Sequence, residues 1–424
     1  MSKILAYTSP ARGHLYPLTP ILDELAARGH TIAVRTLASE VPLMCSRGFS
    51  AQPIAEQIEA IELQDWRTHN PRKALAASVR GFCARASFDA ADLTQAISQE
   101  HPDVVIVDIN SWGAMAAAEK WGGPWAAFCP YPLALRSPQV PPFGPGLPPA
   151  TGAIGRIRDA LLRPVVNGTI ERQLLPRLNE VRSSLSLPML TQSDDLFTRP
   201  PLLLYLTAEP FEYPRTDWPE NIVAVGPCSW EPPGEAPDWL TSITDPLVLV
   251  TTSSEFQDDG KLIKVALAAL ADLPVHVVAT VPAGSPTEFT IPRNAHVLQF
   301  APHGPLLDRA VCAVTHGGMG ATQKALAHGV PVCAVPFGRD QLEVARRVAV
   351  AGAGTRLPAK KLTVERLRAK VTEASTMTAG AERVADGFRA AGGPRAAADA
   401  VEARLLADQV ASPAAPGATT WSPK

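Results

Sequence analysis

The stretch 3–34, KILAYTSPARGHLYPLTPILDELAARGHTIAV, reads as strand, helix and strand in succession. Lys3-Ile4-Leu5-Ala6-Tyr7-Thr8 is a short apolar run at the start. Over 16–28, Leu18, Ile21, Leu22, Leu25 and Ala26 share one helical face, and Gly29 stops the helix before a second run begins at Thr31. This is a βαβ unit, whose strands lie parallel because a helix carries the chain back between them. Apolar runs at 104–107, 125–128 and 202–206 continue the alternation. The pattern restarts after the proline-rich segment 226–237, with runs at 247–250, 275–279, 297–300, 311–314 and 330–335.

The fold expected is therefore α/β, with two doubly wound Rossmann-like domains facing a central cleft at the carboxyl ends of both sheets, where ligands of such folds bind. The division expected is a first domain over 1–225, a proline-rich linker over 226–243 and a second domain over 244–380. Beyond these come C-terminal helices over 381–408, for which a return to the first domain is one arrangement. A flexible tail rich in Pro, Ala and Gly is expected over 409–424.

Composition narrows the function. In 424 residues, 39 basic and 41 acidic side chains leave a net charge of −2, which removes electrostatic attraction to nucleic acid or anionic lipid as a leading explanation. The 46% hydrophobic and 19% charged shares are those of a globular chain long enough for two cores. No run approaches the roughly 18 apolar residues of a membrane span, and the N-terminus enters a strand at once without a signal-peptide pattern, so a soluble, cytoplasmic protein is expected. The 6 cysteines are scattered without a CxxC pair, predicting neither disulfides nor structural zinc.

Four places carry chemistry. His14, in Gly13-His14-Leu15-Tyr16-Pro17, falls on the loop after the first strand and titrates near neutrality, though a helix-capping or solvated histidine fits the position too. Asp108 ends the run 103–107 at its carboxyl end. If that strand neighbours the first, Asp108 and His14 meet as a base and its orienter; otherwise Asp108 caps the helix around 114–121. In His316-Gly317-Gly318-Met319-Gly320-Ala321-Thr322 a strand runs into a glycine-rich turn and opens a helix over 322–328. Free amides and the helix dipole there form a cradle for a diphosphate, and the spacing matches neither GxGxxG nor GxxxxGKS. Asp340-Gln341 follows the next strand, where a carboxylate beside an amide can grip vicinal hydroxyls or cap a helix. Ser253, after the first strand of the second domain, can add a hydroxyl to the phosphates. The chain lacks Asp-x-Asp, and the histidines of the second domain are not at metal-ligand spacing, so no metal is expected.

Taken together, in this order and spacing, these residues with Gly329-Val330-Pro331-Val332 resemble the family 1, UDP-glycosyltransferase-like enzymes of the GT-B fold, of the bacterial type that glycosylates macrolides, other natural products and lipids. The resemblance spans essentially the whole chain. It implies inverting transfer of a sugar from a UDP- or TDP-sugar to a hydroxyl of a small apolar acceptor such as a polyketide, phenolic or lipid. His14 would be the general base and Asp108 would hold its imidazole. His316, Gly317, Gly318, Gly320, Ala321, Thr322 and Ser253 would bind the diphosphate, and Asp340 and Gln341 the donor sugar. Ala301, His303 and Lys324 would lie near the ribose and base, the acceptor would sit under 53–86 and 130–188 of the first domain, and no cofactor is implied.

The chain departs from the family pattern at four positions. Lys324 stands where the family carries a Glu that grips the ribose, Val344 replaces an Asn, Thr252 replaces a Gly, and His303 replaces a Gln. At Lys324 three outcomes are open: the ribose is held differently, charge is added near the diphosphate, or donor binding is impaired. Two competing readings follow, a GT-B-shaped auxiliary or binding protein with an impaired donor site and a GT-B sugar-nucleotide epimerase. The sequence is silent on oligomeric state.

Overall fold

The computed structural model describes residues 1–68 and 70–407; the tail expected over 409–424 lies outside the described residues. Strands β1 (Lys3–Tyr7), β2 (Thr31–Thr36), β3 (Ser50–Pro53), β4 (Val104–Asp108), β5 (Trp125–Cys129), β6 (Leu202–Tyr205) and β7 (Ile222–Ala224) form one parallel sheet in the order β3-β2-β1-β4-β5-β6-β7. Strands β8 (Leu247–Thr251), β9 (His276–Thr280), β10 (Ala295–Leu298), β11 (Ala310–Thr315), β12 (Val332–Ala334) and β13 (Gly354–Arg356) form a second in the order β10-β9-β8-β11-β12-β13. Both are doubly wound. In each, the order reverses between two adjacent strands, β1 and β4 in the first and β8 and β11 in the second, and a crevice opens outside the carboxyl ends of such a pair.

The central strands of each sheet are buried on both faces, so they read as continuous apolar runs rather than alternating ones. In the first sheet Leu5, Tyr7, Val105 and Val107 face one core while Ile4, Ala6, Val104 and Ile106 face another. The second sheet divides in the same way, with Leu249 and Ala313 on one side and Val248, Val250 and Val314 on the other.

The expected C-terminal unit divides between the domains. Helix Thr378–Ala390 packs with the second domain, where Val384 and Phe388 join its core. Helix Gly393–Val401 packs Ala397, Ala398 and Val401 into the first. The chain crosses at Gly392 and Gly393, whose φ values of 88° and 58° suit glycine alone without strain, and the Gly393 amide donates to the Val225 carbonyl. Arg28 then fastens the returned segment to the first domain through Asp399 at 2.7 Å and Glu402 at 2.6 Å.

Two helices start earlier than their sequence suggests. The apolar face places the first helix over 16–28, yet it runs Arg12–Ala27, closing its first turn through the His14 and Leu15 amides to the Ala11 carbonyl. His14 is therefore in the first helical turn and not on a loop. The helix expected over 322–328 runs Met319–Ala327.

Candidate active site

Because β1 and β4 are neighbours, the end of β4 brings Asp108 beside the helix that follows β1. His14 Nδ1 lies 2.8 Å from Asp108 Oδ1. An ionised carboxylate only accepts, so Nδ1 carries the proton and donates it, leaving Nε2 unprotonated with a lone pair to accept. Asp108 is fully buried and its other oxygen accepts from the Ser9 amide at 3.0 Å and the Ser9 hydroxyl at 2.5 Å. Oδ1 also accepts from the Asn110 backbone N–H at 2.9 Å. Burial alone would lift its pKa, but the His14 imidazole and these donors hold it below the ordinary carboxylate range. Asp108 does not cap the following helix, Trp112–Trp121, which has Ser111 at that position. Burial would lower the pKa of His14, and Asp108, with smaller help from Glu255 and Asp340, raises it above 6.5.

Arg339 of the second domain bonds to Asp65 of the first and to Glu255, which places the second domain's loops across the cleft, and the charges of Glu255 and Asp340 add to the rise at His14. Asp340 precedes helix Gln341–Val350 without making a side-chain cap bond, so its carboxylate is left for the cleft. Gln341 behaves differently from the expectation. Its amide oxygen accepts from the Phe337 and Gly338 amides at 2.7 and 3.0 Å, and its amide nitrogen donates to Gln257 at 2.7 Å. A side chain 2% exposed and committed at both ends builds the turn that presents Asp340.

The glycine-rich turn lies at the β8/β11 reversal. Gly318 precedes helix Met319–Ala327, whose first internal bond runs from the Thr322 amide to the Gly318 carbonyl, so the Met319, Gly320 and Ala321 amides come before it and remain as anion donors. Two expected members serve the turn instead. The Gly317 amide donates to Thr315 Oγ1 at 3.1 Å, and the Thr322 hydroxyl lies 3.2 Å from that of Thr315. His316 is 7% exposed; burial lowers its pKa to about 4, and its Nδ1 is buried without a partner. A neutral imidazole with an unspent nitrogen beside free amides fits a diphosphate. The fit is tight: a Cβ on Gly318 would stand 2.2 Å from His316 Nε2. Ser253 donates its amide to Asp259 at 2.7 Å, while its hydroxyl accepts from the Glu255 amide and Gln257 and keeps a proton to give.

Of the residues expected near the ribose and base, Ala301 is buried and precedes the short helix His303–Leu307. His303 Nε2 lies 3.0 Å from Thr280 Oγ1, and burial lowers its pKa to about 4. Lys324 makes an ion pair that the sequence did not reveal: Nζ lies 2.7 Å from Glu231 of the linker. The same carboxylate accepts from the His303 and Gly304 amides at 2.9 Å each. The charge of Lys324 is thus matched within the protein.

Two further groups of residues were missed. Arg339, held at φ 52°, reaches across the cleft to Asp65 at 2.8 and 3.0 Å and bonds within its own domain to Glu255 at 2.9 Å, with Trp66 edge-on against Phe256 alongside. Asn110 and Tyr131 meet His14 on its free side. The only sequence signal for either group was proximity, Arg339 next to Asp340 and Asn110 two residues after Asp108.

Comparisons with known proteins bear on the family and the fold. Residues 264–404 match the family model "Erythromycin biosynthesis protein CIII-like, C-terminal domain". The chain is 31% identical over 394 residues to 4'-demethylrebeccamycin synthase of Lentzea aerocolonigenes, covering 87% of this chain and 91% of that one. It is 26% identical to demethyllactenocin mycarosyltransferase of Streptomyces fradiae, covering 96% and 87%. Among solved structures, the glycotransferase of kitacinnamycin superposes with a TM-score of 0.71 at 23% identity, covering 95% of this chain and 99% of that one. The glycosyltransferase VinC in complex with DTDP gives 0.69 at 22%, covering 95% and 99%; both share the two-domain fold. With such identity across nearly the full length of both sequences, the chain belongs to the family 1 natural-product glycosyltransferases of the GT-B fold and is a glycosyltransferase that uses nucleotide sugars.

Proposed function

We infer that the protein transfers a sugar from a TDP- or UDP-sugar to a hydroxyl of a small apolar acceptor, with inversion at the anomeric carbon and without a metal. The observation that carries this reading is the His14–Asp108 pair, 2.8 Å apart at the crevice of the first sheet and facing Asp340 of the second. His14 Nε2 takes the proton of the acceptor hydroxyl, and the oxygen attacks the anomeric carbon from the face opposite the diphosphate. The bond from that carbon to the phosphate oxygen breaks, its electron pair leaves with the diphosphate, and the configuration inverts. Asp108 stabilises the imidazolium that forms.

The Met319, Gly320 and Ala321 amides, His316 and the Ser253 hydroxyl take up the charge of the leaving diphosphate, a donor set of amides and neutral side chains. Asp340 holds hydroxyls of the donor sugar. The names of the relatives, a 4'-demethylrebeccamycin synthase and a mycarosyltransferase, favour a natural-product acceptor, and the DTDP held by a protein of the same fold favours a thymidine diphosphate donor.

The test is product formation by mass spectrometry with TDP- and UDP-sugars against a panel of hydroxylated polyketides, phenolics and lipids. Proton NMR of the product reads its anomeric configuration. His14→Ala is expected to lose about 10²- to 10⁴-fold in rate while still binding nucleotide. Wild-type turnover by that variant, or a product with retained configuration, would overturn the reading.

A further inference from the structure

The free nitrogen of His14 does not face open solvent. Asn110 Nδ2 lies 3.3 Å from His14 Nε2, and Asn110 Oδ1 accepts from the Tyr131 hydroxyl at 2.7 Å. The Tyr131 ring packs obliquely on the imidazole, centroid to centroid 5.8 Å. The proton positions along this chain determine one another. Asp108 can only accept, so Nδ1 donates; neutral His14 then offers a lone pair at Nε2, which needs a donor, and the amide of Asn110 supplies it. The amide oxygen is thereby turned to Tyr131, which must donate. Burial pushes the Tyr131 phenol well above its ordinary range, so it keeps the proton that the chain requires.

We propose that Asn110, held by Tyr131, is a positioning residue that keeps His14 Nε2 unprotonated in the resting enzyme and then turns the hydrogen bond of its side-chain N–H from Nε2 to the oxygen of the incoming acceptor. The proposal rests on the reading of His14 as the base. The contact to Nε2 is 0.5 Å longer than the 2.8 Å contact to Asp108, so it is the one that gives way when an acceptor hydroxyl donates to the lone pair. Freed from Nε2, the amide stands next to the same oxygen and can donate to it, fixing which hydroxyl of a polyhydroxylated acceptor meets the base. When the proton arrives on Nε2, rotation of the amide by half a turn presents its oxygen to the new N–H, and the Tyr131 oxygen can accept in exchange.

The charges facing His14 are Asp108 from β4 and, from the second domain, Glu255 and Asp340, with Tyr131 neutral beside it. Asn110→Asp leaves all of them in place and turns the donor at Nε2 into an acceptor. A carboxylate there favours the imidazolium.

The test uses the full chain labelled with ¹⁵N, in which long-range ¹H–¹⁵N NMR reads the tautomer and titration of each histidine; His14 is assigned by its loss in His14→Ala. The wild type is expected to show neutral His14 protonated at Nδ1. In Asn110→Asp its titration is expected to rise by about one pH unit or more, and the acid limb of kcat/KM should move with it. Asn110→Ala is expected to raise the acceptor KM about 5- to 10-fold, with a smaller effect on kcat and none on the donor KM. Should Asn110→Asp fail to fold, Tyr131→Phe carries the same test, because removing the hydroxyl that fixes the amide should also raise the His14 titration measurably. A titration unchanged in the folded variants, or an acceptor KM unchanged in Asn110→Ala, overturns the proposal. If His14→Ala itself turns over at the wild-type rate, it is the base reading that fails, whatever the titrations show.

Discussion

Lys324 offers a quantitative test of how the linker is tied to the second domain. Its Nζ sits 2.7 Å from Glu231, and the two side chains are 16% and 23% exposed. Two unit charges about 4 Å apart attract by roughly 4 kcal/mol at an effective dielectric constant of 20. Desolvation takes back much of that, since fully exposed pairs measure about 0.2–1 kcal/mol and the loss of one partner from a buried pair costs about 3–5 kcal/mol. A pair with about a fifth of each side chain in water should therefore couple by about 1–2 kcal/mol. Lys324→Met, Glu231→Gln and the double variant form the cycle, read by urea unfolding at low salt. Glu231 sets the pH window. Burial would raise its pKa, but Lys324 and the His303 and Gly304 amides hold it below 4.5. A depressed carboxylate contributes stability above its unfolded pKa and loses it as pH falls through the folded value, so the coupling should be full near pH 7 and fade below about pH 4. A coupling within about 0.3 kcal/mol of zero at pH 7 would refute the claim that Lys324 is spent on the linker.

Other expectations follow from the cleft. The acid limb of kcat/KM should lie above 6.5, because Asp108 raises the pKa of His14 and activity is lost as pH falls through it. Asp108→Asn should move that limb to lower pH and cut the maximal rate by about 10²-fold or more; a limb that stays put would mean that another group reports it. Gly318→Ala needs no unusual backbone, since φ there is −65°, yet its methyl would strike His316. Isothermal titration should therefore show nucleotide binding weakened about tenfold or more with Tm nearly unchanged, and normal binding would remove His316 from the diphosphate site. Asp65→Ala removes both hydrogen bonds from Arg339 across the cleft, which should cost about 1–3 kcal/mol in chemical denaturation; a change within error would mean that Glu255 alone holds the arginine.

What was legible in the sequence followed from local pattern. Continuous apolar runs separated by helical faces revealed two doubly wound sheets, because strands covered on both sides need no polar alternation. Asp108 was recognisable as a strand-end carboxylate, but its meeting with His14 depended on β1 and β4 pairing, which periodicity alone does not decide. The glycine-rich turn was legible as a cradle. Its exact donors were not: a helix three residues longer at its start commits the Thr322 amide and exposes those of Met319, Gly320 and Ala321. Gln341 looked like a sugar contact since an amide suits hydroxyls, and it equally suits the two backbone amides of its own turn. The contacts that escaped altogether join residues far apart in the chain. Lys324 meets Glu231, 93 residues away, and Arg339 meets Asp65, 274 residues away. Read in the sequence alone, each side chain looks like an ordinary surface charge.

The most direct measurement is thermal unfolding of the full chain with TDP, UDP, GDP or ADP in the presence of a chelator, since a ligand bound only to the folded state raises its stability by mass action. The account predicts a rise of a few degrees with TDP or UDP, about 2.7 kcal/mol of stabilisation at 100 times Kd, that is lost in Gly318→Ala. No rise with any of the four nucleotides, or a rise only after divalent metal is restored, would contradict a diphosphate site built from the 316–322 turn.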